Sequence, residues 1–542
     1  MNIRSADMTT PPDLTSSAGT GPSADKRPVY QDYLPPCNNA CPAGENIQGW
    51  LALVHDGRYQ DAWQLLVENN PMPAVHGRVC YHPCESECNR EQVDGAVGIH
   101  QIERYLGDMA IEQGWIPKFT SRKTGKRVLV VGAGPSGLSA AYQLARLGHT
   151  VEIRDAGTIA GGMMHFGIPA YRLPRKILQA EISRIEKMGV KITLNHKVED
   201  LQKEKEQGAF DAVFVAVGAH ISKKINIPSR EAGRILDAVN YLHDVSSGNQ
   251  PLLGRRVAIY GGGNTAMDAA RTAKRLGAEE TLIIYRRDME HMPAHKFEAE
   301  EAMEEGVKIN WLRTIHEIDE DQIKVEKMEL DDSGRPQPTG IFETLEADAL
   351  ILALGQNIDS QLMQYIPGVD FTDDGTVQVD SHMMTGQPGI FAGGDMVPSE
   401  RTVTIATGHG KKAARNIHAF ISGQAMTKKN PADVVGLDSL NIWYYASASQ
   451  SQQPVVPADE RNKSFDEVLG GLTPAEIKYE ASRCYSCGNC FECDGCYGAC
   501  PENAIIKLGV GRFYQIDYSL CTGCGACTTQ CPTAAIHMTE KV

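Results

Sequence analysis

The sequence predicts an α/β protein built on two strand–turn–helix units, with cysteine-bearing segments at both ends. Three observations carry this expectation. The short runs Val128-Leu129-Val130-Val131 and Val257-Ala258-Ile259-Tyr260 each lead straight into glycines and then into an alanine-rich stretch, as a strand feeding a tight turn and a helix would. All 15 cysteines fall between Cys37 and Cys88 or between Cys484 and Cys531. The last eight of them repeat one four-cysteine run twice.

Length and charge bound the rest. At 542 residues the chain can hold three or four domains, taking ~100–200 residues for each. With 53 Lys+Arg against 68 Asp+Glu the formal net charge is −15, which disfavours nucleic acid as a partner. No stretch reaches the ~18 uninterrupted apolar residues of a membrane span. The start, Met1-Asn2-Ile3-Arg4-Ser5-Ala6-Asp7, lacks the apolar core of a secretory signal, so the expected location is cytoplasmic. In a reducing compartment, clustered cysteines at short fixed spacings read as metal ligands rather than disulfides.

Residues 1–27 are rich in Thr, Ser, Pro, Gly and Asp and read as a flexible tail. Over 28–120, Ile47, Trp50, Leu51 and Val54, then Trp63, Leu65, Leu66 and Val67, recur at the spacing of a buried helix face. This predicts a small helical domain that carries Cys37, Cys41, Cys80, Cys84 and Cys88.

Gly132-Ala133-Gly134-Pro135-Ser136-Gly137 follows the first strand, and Gly132, Gly134 and Gly137 would let the backbone approach a pyrophosphate at a helix N-terminus. The next strand, Thr150-Val151-Glu152-Ile153-Arg154, ends at Asp155, 23 residues after Gly132, where a carboxylate can accept from a ribose hydroxyl. The second unit, Gly261-Gly262-Gly263-Asn264-Thr265-Ala266-Met267-Asp268, departs from the six-residue pattern but occupies the same strand-to-helix position. Gly261, Gly263, Asn264 and Thr265 are therefore its candidate contacts. Its partner strand ends in Arg286-Arg287, and guanidinium groups suit a 2′-phosphate through charge-assisted bidentate hydrogen bonds. That favours NADPH; read instead as a solvated basic pair, the same residues leave NADH as the donor. Gly389-Ile390-Phe391-Ala392-Gly393-Gly394-Asp395, followed by Thr404 to Gly410 and a helix, completes the pattern of a two-dinucleotide flavoprotein with Rossmann-like domains.

Cys490-x-x-Cys493-x-x-Cys496-x-x-x-Cys500-Pro501 and Cys521-x-x-Cys524-x-x-Cys527-x-x-x-Cys531-Pro532 both reproduce the bacterial ferredoxin run, in which each fourth cysteine ligates the other cluster. One [4Fe–4S] set is then Cys490, Cys493, Cys496 and Cys531, and the other Cys521, Cys524, Cys527 and Cys500. Zinc also accepts four thiolates, but two runs ending in Cys-Pro favour iron–sulfur. Cys484 and Cys487 are left over, and their spacing ahead of Cys490 also allows a shifted ligand set. Residues 484–542 thus read as a ferredoxin-like domain, with 430–483 as a linker whose most linker-like part is Ala446 to Pro454.

The span from Cys37 to about Ile421 resembles the small subunit of bacterial glutamate synthase and the matching half of dihydropyrimidine dehydrogenase. The residues that carry the resemblance are Cys41-Pro42-Ala43-Gly44, Gly77-Arg78-Val79-Cys80, Val131-Gly132-Ala133-Gly134-Pro135, Phe166-Gly167-Ile168-Pro169, Gly261 to Asp268, Tyr285-Arg286-Arg287 and Ala392-Gly393-Gly394-Asp395. The resemblance implies FAD at the first site, near Asp155, Gly162, Gly394, Asp395 and Thr404, and NADPH at the second. It implies a discontinuous FAD domain, 121–250 and 386–429, interrupted by an NAD(P)H domain at 251–385. Relatives that hold two N-terminal clusters have a cysteine pair that this chain lacks there, and His76 stands where another cysteine is expected. One N-terminal [4Fe–4S] cluster is therefore expected, held by Cys41, Cys80 and Cys84 with a fourth ligand from Cys37, Cys88 or Glu103. A glutamate on a helix that begins near Val97 is more often solvated than a ligand.

No cysteine lies from residue 89 to 483, which disfavours a redox disulfide beside a flavin. The run Glu298 to Glu305 reads as a solvated helix face. The expected function is electron movement between NAD(P)H and a ferredoxin or partner iron–sulfur enzyme, such as a 2-oxoacid oxidoreductase, through FAD and [4Fe–4S] clusters, within a hetero-oligomer. A glutamate synthase small subunit, a non-enzymatic electron relay and an electron-bifurcating enzyme are the alternatives.

Overall fold

The computed structural model describes residues 25–119, 121–222, 229–232, 234–426 and 432–540. Two parallel five-stranded sheets form its centre. In the first, the strand order is Ile390–Ala392, Ala212–Val215, Arg127–Val131, Thr150–Arg154, Lys191–Thr193, with every neighbouring pair parallel. Val128 to Val131 are buried, as strands covered by helices on both faces must be. In the second, the order is Lys308–Trp311, Glu280–Tyr285, Arg256–Tyr260, Ala349–Leu352, Arg234–Asp237, again all parallel. Ile390–Ala392 joins the first sheet only after the second is complete, so the first lobe is discontinuous in sequence.

The lobes meet at different residues from those expected. The edge strand Arg234–Asp237 and the helix Ala238–Ser246 lie ahead of residue 251, yet they pair and pack with the second sheet. Met363, Ile366, Val377 and Met383, placed within 251–385 by the sequence, are buried in the core of the first lobe instead. The second lobe's sheet thus spans residues 234–352. Its opening strand, Arg-Ile-Leu-Asp, is too short and polar to announce itself by alternation.

The helical N-terminal lobe shares one hydrophobic core with the first sheet. Its helices Pro73–Val79 and Ile99–Glu112 cross at two glycines: a Cβ at Gly77 would lie 2.4 Å from the Arg104 nitrogen, and one at Gly107 2.3 Å from the Ala74 nitrogen. No larger residue fits either position.

Residues 1–24 of the expected tail lie outside the described residues. Its last two described members belong to a strand, Lys26–Tyr30, that pairs antiparallel with Ile536–Glu540. The first and last strands of the described residues therefore both belong to the C-terminal module. The expected linker is a docked strap. Its helix Pro474–Ser482 opens with a Thr473/Glu476 capping box, and the buried Arg483 donates to the carbonyls of Gly95 at 2.7 Å, Ala96 at 2.6 Å and Ala448 at 3.0 Å. Buried Glu480 accepts from the nitrogens of Gly98 at 2.8 Å and Ser451 at 2.6 Å. A polar, loop-like sequence is held because its backbone groups find buried charged partners.

The acidic run is corrected in the same way. Glu298 and Glu305 are buried, paired respectively with Arg172 at 2.6 Å and with Arg271 and Arg275 at 2.7 Å each. No helix among the described residues is long and apolar enough to cross a membrane.

Candidate functional site

At the first glycine turn, Gly132 has φ +106° and its Cβ would meet the Ala216 carbonyl oxygen at 2.3 Å, while a Cβ at Gly137 would meet the Gly132 oxygen at 1.9 Å. These two close the turn. Gly134, at the N-cap of the helix Pro135–Arg146, has nothing within 4 Å of its Cβ position. The Asp155 carboxylate ends the neighbouring strand and accepts from the nitrogens of Ala133 at 2.6 Å and Gly157 at 2.7 Å. A Cβ at Gly162 would lie 3.0 Å from the Gly134 Cα, and one at Gly394 3.0 Å from the Ser136 Cβ. Desolvation pushes the Asp395 carboxyl up to about 6. The structure thus brings Asp155, Gly162 and Gly394 to the first glycine turn. The fit is good: open space at a helix N-terminus, with a buried Ser136 hydroxyl that has no hydrogen-bond partner, suits a pyrophosphate.

The second turn repeats the geometry. Gly261 has φ +145° and its Cβ would meet the Ala353 oxygen at 2.2 Å, a Cβ at Gly262 would meet the Tyr285 ring, and Gly263 is open. Asn264 Nδ2 donates to the Tyr81 hydroxyl at 2.5 Å, and its Oδ1 is unpartnered. Arg286 is exposed and Arg287 half-buried, with Arg287 Nε buried and unpartnered. Neither pairs with a carboxylate among the described residues. Two uncommitted guanidinium groups fit a phosphate as acceptor.

Tyr81 and Arg172 carried no sequence signal. Tyr81, next to Cys80, stacks on His295 with ring centroids 3.7 Å apart, and Arg172 of the first lobe holds Asp268 and Glu298 of the second. Tyr81 thus ties the cysteine-bearing lobe to the second turn, and Arg172 ties the first lobe to the second.

The five N-terminal thiols do not form one group. Cys41 lies near Cys80, Glu45 and Glu103, and Cys84 near Cys80, Cys41 and Cys37; burial raises all three thiols, that of Cys80 to about 12. Cys37 and Cys88 turn instead toward Cys484 and Cys487, where burial again raises the thiols, that of Cys484 to about 12 and that of Cys487 to about 11. Glu103 is buried, not solvated, and accepts from Asn70 Nδ2 at 2.6 Å. His76 is buried, its Nε2 3.1 Å from the Thr407 hydroxyl, and desolvation lowers it to about 3, so it is neutral. Thr404, at the start of the helix Val403–Ile421, faces the Cys80 thiol.

In the C-terminal module one cavity is lined by Cys490, Cys493, Cys496 and Cys531 and another by Cys500, Cys521, Cys524 and Cys527. The fourth cysteine of each run thus crosses to the other set. Among the described residues no three thiols lie mutually within 4.8 Å. A tetrahedral zinc with Zn–S of about 2.3 Å needs sulfurs about 3.8 Å apart, so the wider sets suit a cluster with iron at each corner.

Residues 124–410 match the pyridine nucleotide-disulphide oxidoreductase family, more than half of the chain. The chain belongs to that family. Residues 27–115 match dihydropyrimidine dehydrogenase domain II, 4Fe-4S cluster, and residues 514–537 a 4Fe-4S binding domain. The chain is 35% identical over 508 residues to the NADP(+)-dependent formate dehydrogenase subunit beta of Moorella thermoacetica, covering 85% of this chain and 71% of the relative. It is 32% identical over 505 residues to the NADPH-Fe(3+) oxidoreductase subunit beta of Geobacter sulfurreducens, covering 84% and 75%. To the glutamate synthase [NADPH] small chain of Escherichia coli it is 34% identical over 414 residues, covering 71% and 88%. The resemblance read from the motifs is borne out: this family member is a flavin- and iron–sulfur-dependent oxidoreductase using FAD, NAD(P)H and [4Fe–4S] clusters. It has no cysteine within 124–410, so no redox disulfide forms within that span.

Proposed function

We propose that this chain is the NAD(P)H-facing subunit of a cytoplasmic hetero-oligomer, moving electrons between NADPH, or NADH, and a ferredoxin or partner iron–sulfur enzyme such as a 2-oxoacid oxidoreductase. The observation that carries the reading is a continuous succession of sites. The helix Val403–Ile421 packs on the first glycine turn at Gly410 and carries Thr404 close to Cys80, and Cys84 lies near Cys80, Cys41 and Cys37. Half-buried Tyr445 packs with Cys487 on one small apolar cluster and donates its hydroxyl to the Tyr485 carbonyl at 2.7 Å, next to Cys484, and the far set reaches the surface at exposed Cys524. A flavin accepts a hydride as a pair and releases electrons singly, the conversion needed between a nicotinamide and iron–sulfur centres.

The chain's own residues bind and orient. Gly132, Gly134 and Gly137 open the helix end to the FAD pyrophosphate, Asp155 takes its ribose, and Gly162, Gly394, Asp395 and Thr404 enclose it. Gly261, Gly263, Asn264 and Thr265 do the same for the nicotinamide dinucleotide, and Arg286 and Arg287 take its 2′-phosphate. Cys41, Cys80 and Cys84 hold one cluster with Glu103, which lies near Cys41 and Cys80, as fourth ligand. The two crossed C-terminal sets hold two more. No side chain is needed as an acid or base for hydride transfer.

The relatives named as formate dehydrogenase and NADPH-Fe(3+) oxidoreductase beta subunits support a design in which the partner chain selects the acceptor. The test is anaerobic titration of the purified protein with NADPH and NADH, then mass spectrometry of whatever co-elutes at low salt. Bleaching of the flavin and a stoichiometric iron–sulfur enzyme subunit are expected. A large glutamine-using subunit would make the chain a glutamate synthase small subunit, and failure of both nucleotides to bleach the flavin would reduce it to a relay.

A further inference from the structure

We propose that Cys37, Cys88, Cys484 and Cys487 hold a further [4Fe–4S] cluster whose ligands come from both ends of the chain, fastening the C-terminal module to the helical N-terminal lobe. This rests on the reading that the other cysteine sets hold such clusters, and it goes beyond it, because the sequence expected a single N-terminal cluster and left Cys484 and Cys487 without a role.

The four thiols converge through a dense set of supports. Cys37 lies on the short helix Pro36–Ala40 and Cys88 follows the turn Pro83–Ser86. Cys484 and Cys487 follow the strap helix Pro474–Ser482. Gln48 Nε2 donates to the Ser486 hydroxyl at 2.6 Å, and Arg90 donates to the Arg483 carbonyl at 2.5 Å while its guanidinium lies 4.8 Å from the Tyr485 ring centroid. Asn89 Nδ2 donates both to the Val435 carbonyl at 3.0 Å and to Cys487 Sγ at 3.4 Å. Ser486, at φ +52°, is a non-glycine residue held in the left-handed region, a conformation kept only where surroundings over-determine it. It presents its backbone N–H to Cys484 Sγ at 3.4 Å. The same N–H···S contact occurs from His82 to Cys80 at 3.3 Å and from Ala504 to Cys500 at 3.2 Å. Hydrogen bonds to cluster sulfurs are one way a protein tunes such a centre.

Chemistry narrows the ligand. Gln48 ties Asn38, next to Cys37, to Ser486, between Cys484 and Cys487, and Asn89, next to Cys88, reaches Cys487 Sγ, so that Cys37 lies near the other three. Four half-buried thiols drawn from two separate segments make up the four-thiolate set that a [4Fe–4S] cluster takes. The spread of the thiols exceeds what one tetrahedral ion takes, as it does in the other sets. The other sets claim Cys41, Cys80, Cys84 and the eight cysteines of the two runs, which leaves only these four. The Cys484-x-x-Cys487 pair supplies from the far end of the chain the two thiols that the helical lobe lacks ahead of Cys37.

The test is iron, acid-labile sulfide and zinc analysis of the anaerobically purified holoprotein, with electron paramagnetic resonance of the reduced form. Four clusters give about 16 irons per chain. Cys484→Ser with Cys487→Ser is expected to lose about four irons and one reduced-cluster signal while keeping its FAD. Cys37→Ser with Cys88→Ser, made from the other end of the chain, should lose the same signal, and combining the two pairs should lose no more. About 12 irons in the parent protein, unchanged in both variants, would overturn this proposal and leave the three-cluster reading standing. One zinc per chain lost with either pair would also overturn it. A parent protein without iron or sulfide would sink both readings together.

Discussion

The Arg172 guanidinium meets the Glu298 carboxylate at 2.6 Å, with Glu298 almost wholly buried. The same guanidinium spans both oxygens of Asp268, at 3.0 and 2.8 Å. One cation of the first lobe is thus shared between the helix Asn264–Arg275 and the helix Lys296–Glu304 of the second. Burial raises the Glu298 carboxyl while Arg172 opposes it.

Removing that cation leaves two carboxylates in a setting that penalises their charge. Arg172→Ala is expected to cost about 3–5 kcal/mol. Arg172→Lys, which keeps the charge but loses the planar fork, should fall between the two. Thermal unfolding of the holoprotein followed by flavin fluorescence measures this. A variant that melts with the parent protein would show that the clamp does not hold the lobes.

Arg286 and Arg287 have no acidic partner among the described residues, so their replacement should cost little stability. Their expected cost falls on one nucleotide. Arg286→Ala with Arg287→Ala should lower kcat/KM for NADPH roughly 10- to 100-fold, the loss of charge-assisted bonds worth about 1.5–3 kcal/mol, and leave NADH within a few-fold. Equal losses for both nucleotides, or none, would make the pair a solvated basic patch.

Glu103 is the carboxylate that faces Cys41 and Cys80, and Asn70 fixes its orientation. Glu103→Ala is expected to alter one reduced-cluster paramagnetic signal and to lower iron content by up to about four per chain. Glu103→Gln keeps the shape and a ligating oxygen, so it should retain the iron but shift the signal. Spectra identical to the parent in both variants would make Glu103 a structural carboxylic acid.

What was legible in the sequence was local. Gly132, Gly137 and Gly261 are glycines because backbone oxygens stand where their side chains would be, and such turns announce themselves within a dozen residues. The crossed cysteine runs are equally compact. The misread features depend on distant partners. Glu298 and Glu305 look solvated until Arg172, Arg271 and Arg275 are folded against them, and Glu103 until Asn70 and Glu45 enclose it. Ala446 to Pro454 has the composition of a linker, yet Ala448 donates to Asp94 and Ser451 to Glu480. Cys484 and Cys487 had no role because Cys37 and Cys88, their neighbours in space, stand at the other end of the chain.

The pH dependence of stability should have a contribution from His149. Its Nδ1 lies 2.7 Å from the Thr124 hydroxyl and its Nε2 2.8 Å from His418 Nδ1. Burial, reinforced by His418, holds His149 down to about 4, against about 6.5 in an unfolded chain. Between these values the unfolded state binds the extra proton, so stability rises with pH through this window. The effect is absent above about pH 7 and grows as the pH falls toward 4. At pH 5 it amounts to about 2 kcal/mol relative to pH 7.5. His149→Gln removes the titrating group while keeping a polar side chain. Denaturant unfolding at pH 7.5 and pH 5 should show the variant losing less stability between the two than the parent protein, by an amount of that order. An acid limb as steep as the parent's would mean that the unfavourable proton goes to another buried histidine, with His165, also held down to about 4 by burial, the next to replace.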